Sequence, residues 1–146
     1  MQYDPIKKGL GSFFNRSPWL RILFYKLINL LLLRAWHIKK ELKKYRREHP
    51  GLVFALDAGS GFGQYTYYMI KLSESWKIKG VDVKPEQIED CNSFIKKIHK
   101  QDRAEFMESD LTMLNEKGIY DLILCVDVME HIANDIQVFR NFAKAL

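Results

Sequence analysis

Three glycines alternate with other residues directly behind a short apolar run that ends in an acid. The run is Val53–Leu56, the acid is Asp57, and the glycines are Gly59, Gly61 and Gly63. Glycine lets the main chain adopt positive φ and lets a ligand lie directly against the backbone. The free N–H groups of a following helix would then face a polar or anionic part of the ligand. This pattern predicts a pocket for a nucleotide-type cofactor.

Two more acids stand at the ends of later apolar segments. Lys77–Val83 contains Asp82, and Ala104–Asp110 ends in Asp110. A carboxylate at the tip of the second strand can accept hydrogen bonds from both ribose hydroxyls of an adenosine. Asp82 is therefore a candidate ribose ligand beside the glycine loop. Each acid also has a plain structural interpretation, as the cap of a turn or as solvated surface charge.

A third group of polar residues, Asp127, Glu130 and His131, follows the last apolar segment. If residues 127–131 are helical, the spacing i, i+3 and i+4 puts all three on one face. They would lie above the carboxyl end of the fourth strand, where open α/β sheets bind ligands. His131 would then act as a general base toward a substrate hydroxyl, with Glu130 beside it. The alternative, which the sequence favours over catalysis, is a structural hydrogen bond from a neutral His131 to a loop.

The segments that must position these residues alternate between strand and helix patterns. Short runs that are apolar on both faces are typical of buried parallel strands, whereas Ile88, Cys91, Ile95 and Ile98 recur at helical spacing. The sequence therefore predicts an α/β fold. The expected strands after Val53–Leu56 are Lys77–Val83, Ala104–Asp110 and Tyr120–Val126, and the expected helices are Pro85–Lys100 and Asn134–Leu146.

The glycine spacing distinguishes between cofactors. A dinucleotide fingerprint would have its third glycine at position 64, where Gln64 stands. The observed Asp-x-Gly-x-Gly-x-Gly pattern, followed by the strand-end acids, instead resembles the first motifs of class I S-adenosylmethionine-dependent methyltransferases. The resemblance covers about residues 50–146. It implies a Rossmann-like, three-layer αβα domain that is partial, with strands in the order 3-2-1-4, and S-adenosyl-L-methionine as its cofactor.

The resemblance also implies which residues bind the cofactor. The glycine loop would hold the methionine part, the second strand end the ribose, the third strand end the adenine, and the fourth strand end the region near the sulfonium. Cys125 is expected to be a small core residue near the cofactor and not a nucleophile. The cofactor-binding candidates are Asp57, Gly59, Ser60, Gly61, Gly63, Asp82, Val83, Asp110, Leu111, Cys125 and Val126.

The Glu130-His131 pair resembles small-molecule methyltransferases of the ubiquinone-biosynthesis type. In some of that group an acid-x-x-Glu-His cluster holds a divalent metal beside a catechol-like substrate. Here the first acid would be Asp127, whose side chain is shorter than glutamate, so no metal ligand is assigned. The resemblance implies methyl transfer to an oxygen, nitrogen or carbon of a small acceptor of lipophilic character that is held near this cluster.

Three other functions remain open. The domain could bind S-adenosylmethionine as a non-catalytic scaffold, it could methylate RNA by using the basic N-terminal helix, or it could be an NAD-binding oxidoreductase. Enzymes that methylate exocyclic amines of bases show an Asn/Asp-Pro-Pro-aromatic tetrapeptide, and residues 126–129 read Val-Asp-Val-Met instead. A small-molecule partner is therefore favoured over nucleic acid.

The first 50 residues form a basic helical extension to a domain at residues 51–146. They hold 12 Lys and Arg against three acids, whereas the remainder holds 11 against 15. Pro18–Arg47 predicts one long helix or two, stopped at residues 49–51 by proline and glycine. Arg21, Lys26 and Arg34 interrupt the apolar stretch and exclude a membrane span. The leucine face could pack on or cover the sheet domain, or the basic helix could lie on an anionic membrane surface.

Cysteine usage and the amino terminus indicate a cytoplasmic protein. Cys91 and Cys125 are expected to be buried, reduced thiols. Met1–Pro5 lacks the order of charged and apolar residues that a secretion signal needs. The chain ends after the helix that follows strand four, whereas the class that it resembles continues with a fifth strand. We therefore expect a truncated chain, or self-association through the uncovered edge of the fourth strand.

Overall fold

The computed structural model describes residues 17–31 and 33–146. Four strands alternate with helices along the domain, as the sequence predicts. The strands are β1 (Val53–Ala58), β2 (Trp76–Asp82), β3 (Ala104–Glu108) and β4 (Leu122–Cys125). The helices are α1 (Pro18–Leu31), α2 (Leu33–Glu48), α3 (Gln64–Leu72), α4 (Pro85–Lys97) and α5 (Asp135–Ala145).

The four strands form one parallel sheet in the order β3-β2-β1-β4. In register, Ala58 lies opposite Val81 on one side and Cys125 on the other, and Asp82 lies opposite Glu108. The carboxyl ends of all four strands therefore meet at one edge of the sheet. The sheet order and its flanking helices confirm the Rossmann-like α/β architecture expected from the sequence.

A hydrophobic core lies between the sheet and α5. Leu56, Ala58 and Val81 of the sheet pack in one cluster with Val138 and Phe142 of α5, and all five side chains are buried. The apolar side of α4 is buried as well, which agrees with the helical spacing of its isoleucines. Burial of apolar surface is the main stabilising contribution to such a layered domain. It also fixes the strand ends that carry the candidate site.

Four elements, α4, α5, β3 and β4, are shorter than the sequence predicts, and α5 is shorter by one residue at each end. α4 ends at Lys97 and not at Lys100, because His99 adopts a φ of 54°. β3 ends at Glu108 and not at Asp110, because Asp110 caps a 3-10 turn at Leu111–Met113.

β4 spans Leu122–Cys125 and not Tyr120–Val126. The Tyr120 N–H donates to the carbonyl of Ala145 at the end of α5, so Tyr120 does not join the sheet. β4 is also only half-buried and pairs with β1 alone among the described strands. Within the part of the chain that the structure describes, β4 is thus an edge strand of the sheet.

One buried arginine joins the helix α3 to the start of β2 and β3. The Arg103 guanidinium donates to the main-chain carbonyls of Ile70, Ser73 and Trp76, and it pairs with the Glu74 carboxylate at 2.8 Å. Arg103 is buried, so these donors replace the water that the three carbonyls would otherwise bind. This side chain ties three segments together at the end of the sheet remote from the glycine loop.

The N-terminal extension contains the helices α1 and α2, and α2 ends at Glu48 just before Pro50. The chain divides into two compact units, residues 1–42 and 43–146. The domain boundary expected after residue 50 stays a prediction. No helix among the described residues is long and apolar enough to cross a membrane. The expectation about Met1–Pro5 lies outside the described residues.

Candidate functional site

The glycine loop between β1 and α3 has the backbone that the sequence predicts. Gly59, Gly61 and Gly63 have φ values of 76°, 51° and 74°, which side-chain-bearing residues rarely adopt. The N–H groups of Gly59 and Ser60 donate to the carbonyl of Val81 at 2.8 and 2.9 Å. The loop is therefore held against the end of β2.

The surroundings of the three glycines differ. A β-carbon on Gly59 would lie 2.1 Å from Cγ2 of Val128, and one on Gly63 would lie 2.9 Å from the Phe106 ring. A β-carbon on Gly61 would meet no atom within 4 Å. Gly59 and Gly63 thus allow close packing within the protein, and Gly61 is the loop glycine that leaves space for a ligand.

The Phe106 ring supports the loop from behind. Its atoms Cδ1 and Cε1 lie 2.4 and 2.5 Å from the position that a β-carbon on Gly80 would take. The Cys91 thiol lies next to the same loop and donates to the carbonyl of Gly61 at 3.5 Å. The ring can lie between Gly80 and Gly63 only because both residues lack a side chain.

Asp57 has a structural role, as the acceptor of two hydrogen bonds from Thr66. Its Oδ2 accepts hydrogen bonds from the Thr66 N–H at 3.0 Å and from the Thr66 hydroxyl at 2.7 Å. Burial raises the pKa of Asp57 to about 6, the Thr66 bonds counteract part of that rise, and the nearby Asp82 charge adds to it. Asp57 thus links the end of β1 to the first turn of α3, and its contact with a cofactor stays a prediction.

We expect the pKa of Asp57 to make stability depend on pH. The folded pKa lies above the ordinary value of 3.8, so the folded state binds the extra proton and stability falls as pH rises from about 4 to about 6. A shift of this size corresponds to roughly 3 kcal/mol. Urea unfolding across this range should show the loss in the wild type and not in Asp57→Asn, which keeps an acceptor for Thr66. Parallel pH curves for the two proteins would contradict this assignment.

Asp82 lies at the end of β2 and touches the glycine loop. Its Oδ2 accepts from the Gly61 N–H at 3.0 Å, and its Oδ1 accepts from the Lys84 N–H at 3.2 Å. An ionised carboxylate has about four lone-pair sites. Each oxygen therefore keeps one further site that could accept a ribose hydroxyl.

The third strand end is joined to the second. The Ser109 N–H donates to the carbonyl of Asp82 at 3.0 Å, and the Asp110 carboxylate accepts from the N–H and hydroxyl of Thr112 at 2.8 Å. Leu111 is buried in the core, whereas Val83 is 59% exposed. The structure thus gives Asp110 a capping role and leaves its predicted contact with adenine untested.

Cys125 and Val126 lie half-buried at the end of β4. Burial, followed by the charges of Asp57 and Glu130, raises the pKa of the Cys125 thiol to about 11. The thiol is therefore protonated at neutral pH, which argues against a nucleophilic role, as the sequence analysis expected.

The expectation that Asp127, Glu130 and His131 share one helical face is wrong. Asp127 has a φ of 55°, and only Met129–His131 forms a 3-10 turn. The left-handed residue separates the first acid from the turn. Glu130 and His131 are exposed, and the catalytic role of these two residues stays a prediction. Within residues 17–31 and 33–146, no three acidic, histidine or cysteine side chains are grouped so that they could hold a metal.

Sequence reasoning missed two residues that shape the loop. Thr66 is the partner of Asp57, and the only hint in the sequence is its position in the first turn behind the loop. Val128 covers Gly59 from a segment far along the chain, and no local pattern could reveal that contact. Ser60 was predicted, and its buried Oγ has no hydrogen-bond partner among the described residues; the same holds for Oε1 of Gln64.

Comparison with known proteins places this site in a wider group. Residues 56–146 match the family described as "Methyltransferase domain". The chain is 22% identical over 112 residues to a ubiquinone biosynthesis O-methyltransferase from Rickettsia akari (strain Hartford), a match that covers 77% of this chain and 43% of that protein. The chain therefore spans less than half the length of this curated relative.

Solved structures share the fold. A SAM-dependent methyltransferase from Aquifex aeolicus superposes with a TM-score of 0.66 at 17% identity, over 88% of this chain and 66% of that one. The [4+2]-cyclase SpnF superposes with a TM-score of 0.68 at 18% identity, over 77% of this chain and 41% of that one. At these identities the likeness establishes the fold alone, and these two proteins show that the fold serves different reactions.

Proposed function

Because this chain belongs to the methyltransferase domain family, we propose that the whole protein transfers a methyl group to a small, lipophilic acceptor. The family and the fold imply S-adenosyl-L-methionine as the cofactor. The observation that carries the proposal is the loop at Gly61, which is open to a ligand and directly bonded to Asp82.

The residues at the sheet edge fit this cofactor. Gly61 has open space where a side chain would be, and the loop backbone can therefore touch the methionine part. Asp82 keeps acceptor sites for the two ribose hydroxyls. Buried Ser60 and the Gln64 amide each have a polar oxygen without a partner among the described residues, as expected for a site that also binds a polar ligand.

The chain would hold the cofactor by its three strand ends and orient the acceptor above the fourth. Asp110 and Leu111 would lie beside the adenine, and Cys125 and Val126 would lie near the sulfonium. The bound cofactor supplies an already activated methyl group, so much of the rate comes from alignment of the acceptor atom with that group. Where the acceptor is a hydroxyl, an imidazole nitrogen of His131 would take its proton, and Glu130 would stabilise the resulting charge.

The proposed class of acceptor rests on the curated relative, whose name gives an O-methyltransferase of ubiquinone biosynthesis. At 22% identity, this relative supports a small lipophilic acceptor without identifying it. The exposed position of His131 is compatible with an acceptor that enters the site from solvent.

Calorimetric titration tests the cofactor proposal. We expect S-adenosylhomocysteine to bind the whole protein and NAD not to bind. Gly61→Val should weaken S-adenosylhomocysteine binding at least tenfold, because the new side chain enters the open space and its φ of 51° is unfavourable for a β-branched residue. Thermal unfolding of the ligand-free variant separates this effect from loss of fold. Tight NAD binding without S-adenosylhomocysteine binding would overturn the proposal in favour of an oxidoreductase.

A non-catalytic S-adenosylmethionine-binding protein is the second candidate, and the [4+2]-cyclase SpnF shows that this fold also serves a protein whose activity is not methyl transfer. Transfer of a radiolabelled methyl group by the whole protein to small-molecule acceptors or RNA discriminates between them. A scaffold would bind the cofactor and transfer nothing, whereas transfer to RNA alone would replace the small-molecule acceptor. One edge of β4 has no partner strand among the described residues, which supports a further proposal, self-association; the mass of the protein in solution would test it.

A further inference from the structure

The outward side of α2 combines cationic and large apolar side chains. Because successive residues of a helix are about 100° apart around its axis, these side chains fall on one side of α2. We call this side the basic face. It consists of Leu33, Trp36, Lys40, Lys43, Lys44 and Arg47, and all six residues are exposed.

The opposite side of α2 is held by the protein. Ala35 and Leu42 are buried at 0% and 3% exposure. In the last turn, the Tyr45 hydroxyl donates to the carbonyl of Asp121 at 2.7 Å, and its ring stacks on His49. The basic face is thus the side of α2 whose residues are exposed, whereas the residues on the other side are buried or hydrogen-bonded.

The apolar members of the basic face are unusually accessible. Leu33 is 84% exposed and Trp36 is 57% exposed, and Lys40 Nζ lies 5.6 Å from the centre of the Trp36 ring. In helix α1, Trp19 is likewise exposed, at 68%. Tryptophan beside lysine is typical of the level of lipid headgroups, where the ring meets both apolar and charged surroundings. A surface of this kind would lose exposed apolar area on a bilayer.

From this arrangement we infer that the basic face of α2 binds the surface of an anionic lipid bilayer. Lys43, Lys44 and Arg47 contact the negatively charged headgroups, and Leu33 and Trp36 enter the boundary between headgroups and acyl chains. The positive charge of these side chains is complementary to the negative charge of the headgroups. None of the three cations is engaged in an ion pair within the described chain. Nucleic acid is a less suitable partner for this face, because an exposed leucine would bury little apolar surface against a phosphodiester backbone.

Sedimentation of the whole protein with vesicles tests the inference. We expect binding to vesicles of phosphatidylcholine with phosphatidylglycerol, and little binding to phosphatidylcholine alone. The double variant Lys43→Gln with Lys44→Gln should weaken partitioning into the vesicles by roughly thirtyfold, because each of the two cations contributes to the free energy of binding at an anionic surface. Trp36→Ala should weaken it by roughly tenfold through lost apolar contact.

A matched control separates a local surface from net charge. Lys96 and Lys97 are exposed in the last turn of α4, and changing both to Gln removes the same charge. We expect the control to retain most of the vesicle binding. Equal losses in the two double variants, or equal binding to both kinds of vesicle, would overturn the inference.

Fluorescence tests whether Trp36 reaches the lipid. In a Trp19→Phe variant, the remaining tryptophans are Trp36 and the fully buried Trp76. Acyl chains that carry bromine should quench the emission of Trp36 and leave that of Trp76. Lack of quenching would overturn the inference. So would loss of binding to a single-stranded RNA in the Lys43→Gln, Lys44→Gln variant with unchanged vesicle binding, since the partner would then be nucleic acid.

Discussion

Asp82→Ala is expected to lower the affinity for S-adenosylhomocysteine by at least about a hundredfold. Two hydrogen bonds from the ribose to a charged acceptor would be lost, and such bonds contribute about 1.5–3 kcal/mol each. The same change removes the acceptor of the Gly61 N–H, so the loop loses one of the contacts that hold it against the end of β2. Isothermal titration of the ligand against wild type and variant measures the loss.

The control for Asp82 lies at the opposite edge of the sheet. Asp102 is exposed and precedes β3, so Asp102→Asn removes one negative charge without touching the strand ends. Its affinity should stay within about twofold of the wild type, because a screened surface charge at that distance contributes little. Asp82→Ala with unchanged affinity and unchanged thermal stability would contradict the ribose assignment.

Arg103→Met is expected to destabilise the domain by about 3–5 kcal/mol. The substitution leaves the buried carbonyls of Ile70, Ser73 and Trp76 without donors, and each orphaned group retains its desolvation cost. The Glu74 carboxylate is mostly exposed, so its loss contributes little. The effect therefore comes from the three carbonyls and not from the ion pair.

Urea unfolding at neutral pH measures this loss, with Arg140→Met as the control. Arg140 is exposed on α5, and its replacement should change the free energy of unfolding by less than about 0.5 kcal/mol. Glu74→Gln should likewise have a small effect. If Glu74→Gln destabilised the domain as much as Arg103→Met, the ion pair and not the carbonyl contacts would be the interaction that holds α3 to the start of β2 and β3.

The features that follow from local sequence were predictable. An apolar run, a row of glycines and a helix signal lie within one short segment, and the positive φ values of Gly59, Gly61 and Gly63 bear out what glycine at those positions requires. Parallel strands read as apolar runs for the same reason, since both of their faces are covered. The sheet order then followed from the resemblance, and the structure confirms it.

The features that depend on distant contacts were not predictable. The shared face expected for residues 127–131 failed because Asp127 adopts a left-handed backbone, which a helical spacing argument cannot anticipate. Thr66 and Val128 become visible as neighbours of Asp57 and Gly59 only once the chain is folded. Arg103 has no sequence pattern that marks it, because its partners are carbonyls that every residue type carries.

The close approach of the Phe106 ring to Gly80 ties the permitted sizes of two positions in neighbouring strands to each other. A β-carbon at position 80 can be accommodated only if position 106 holds a smaller side chain, and the aromatic ring at 106 requires glycine at 80. During divergence the two sites must therefore change together, and a substitution at one site would persist only in a background that already carried its counterpart.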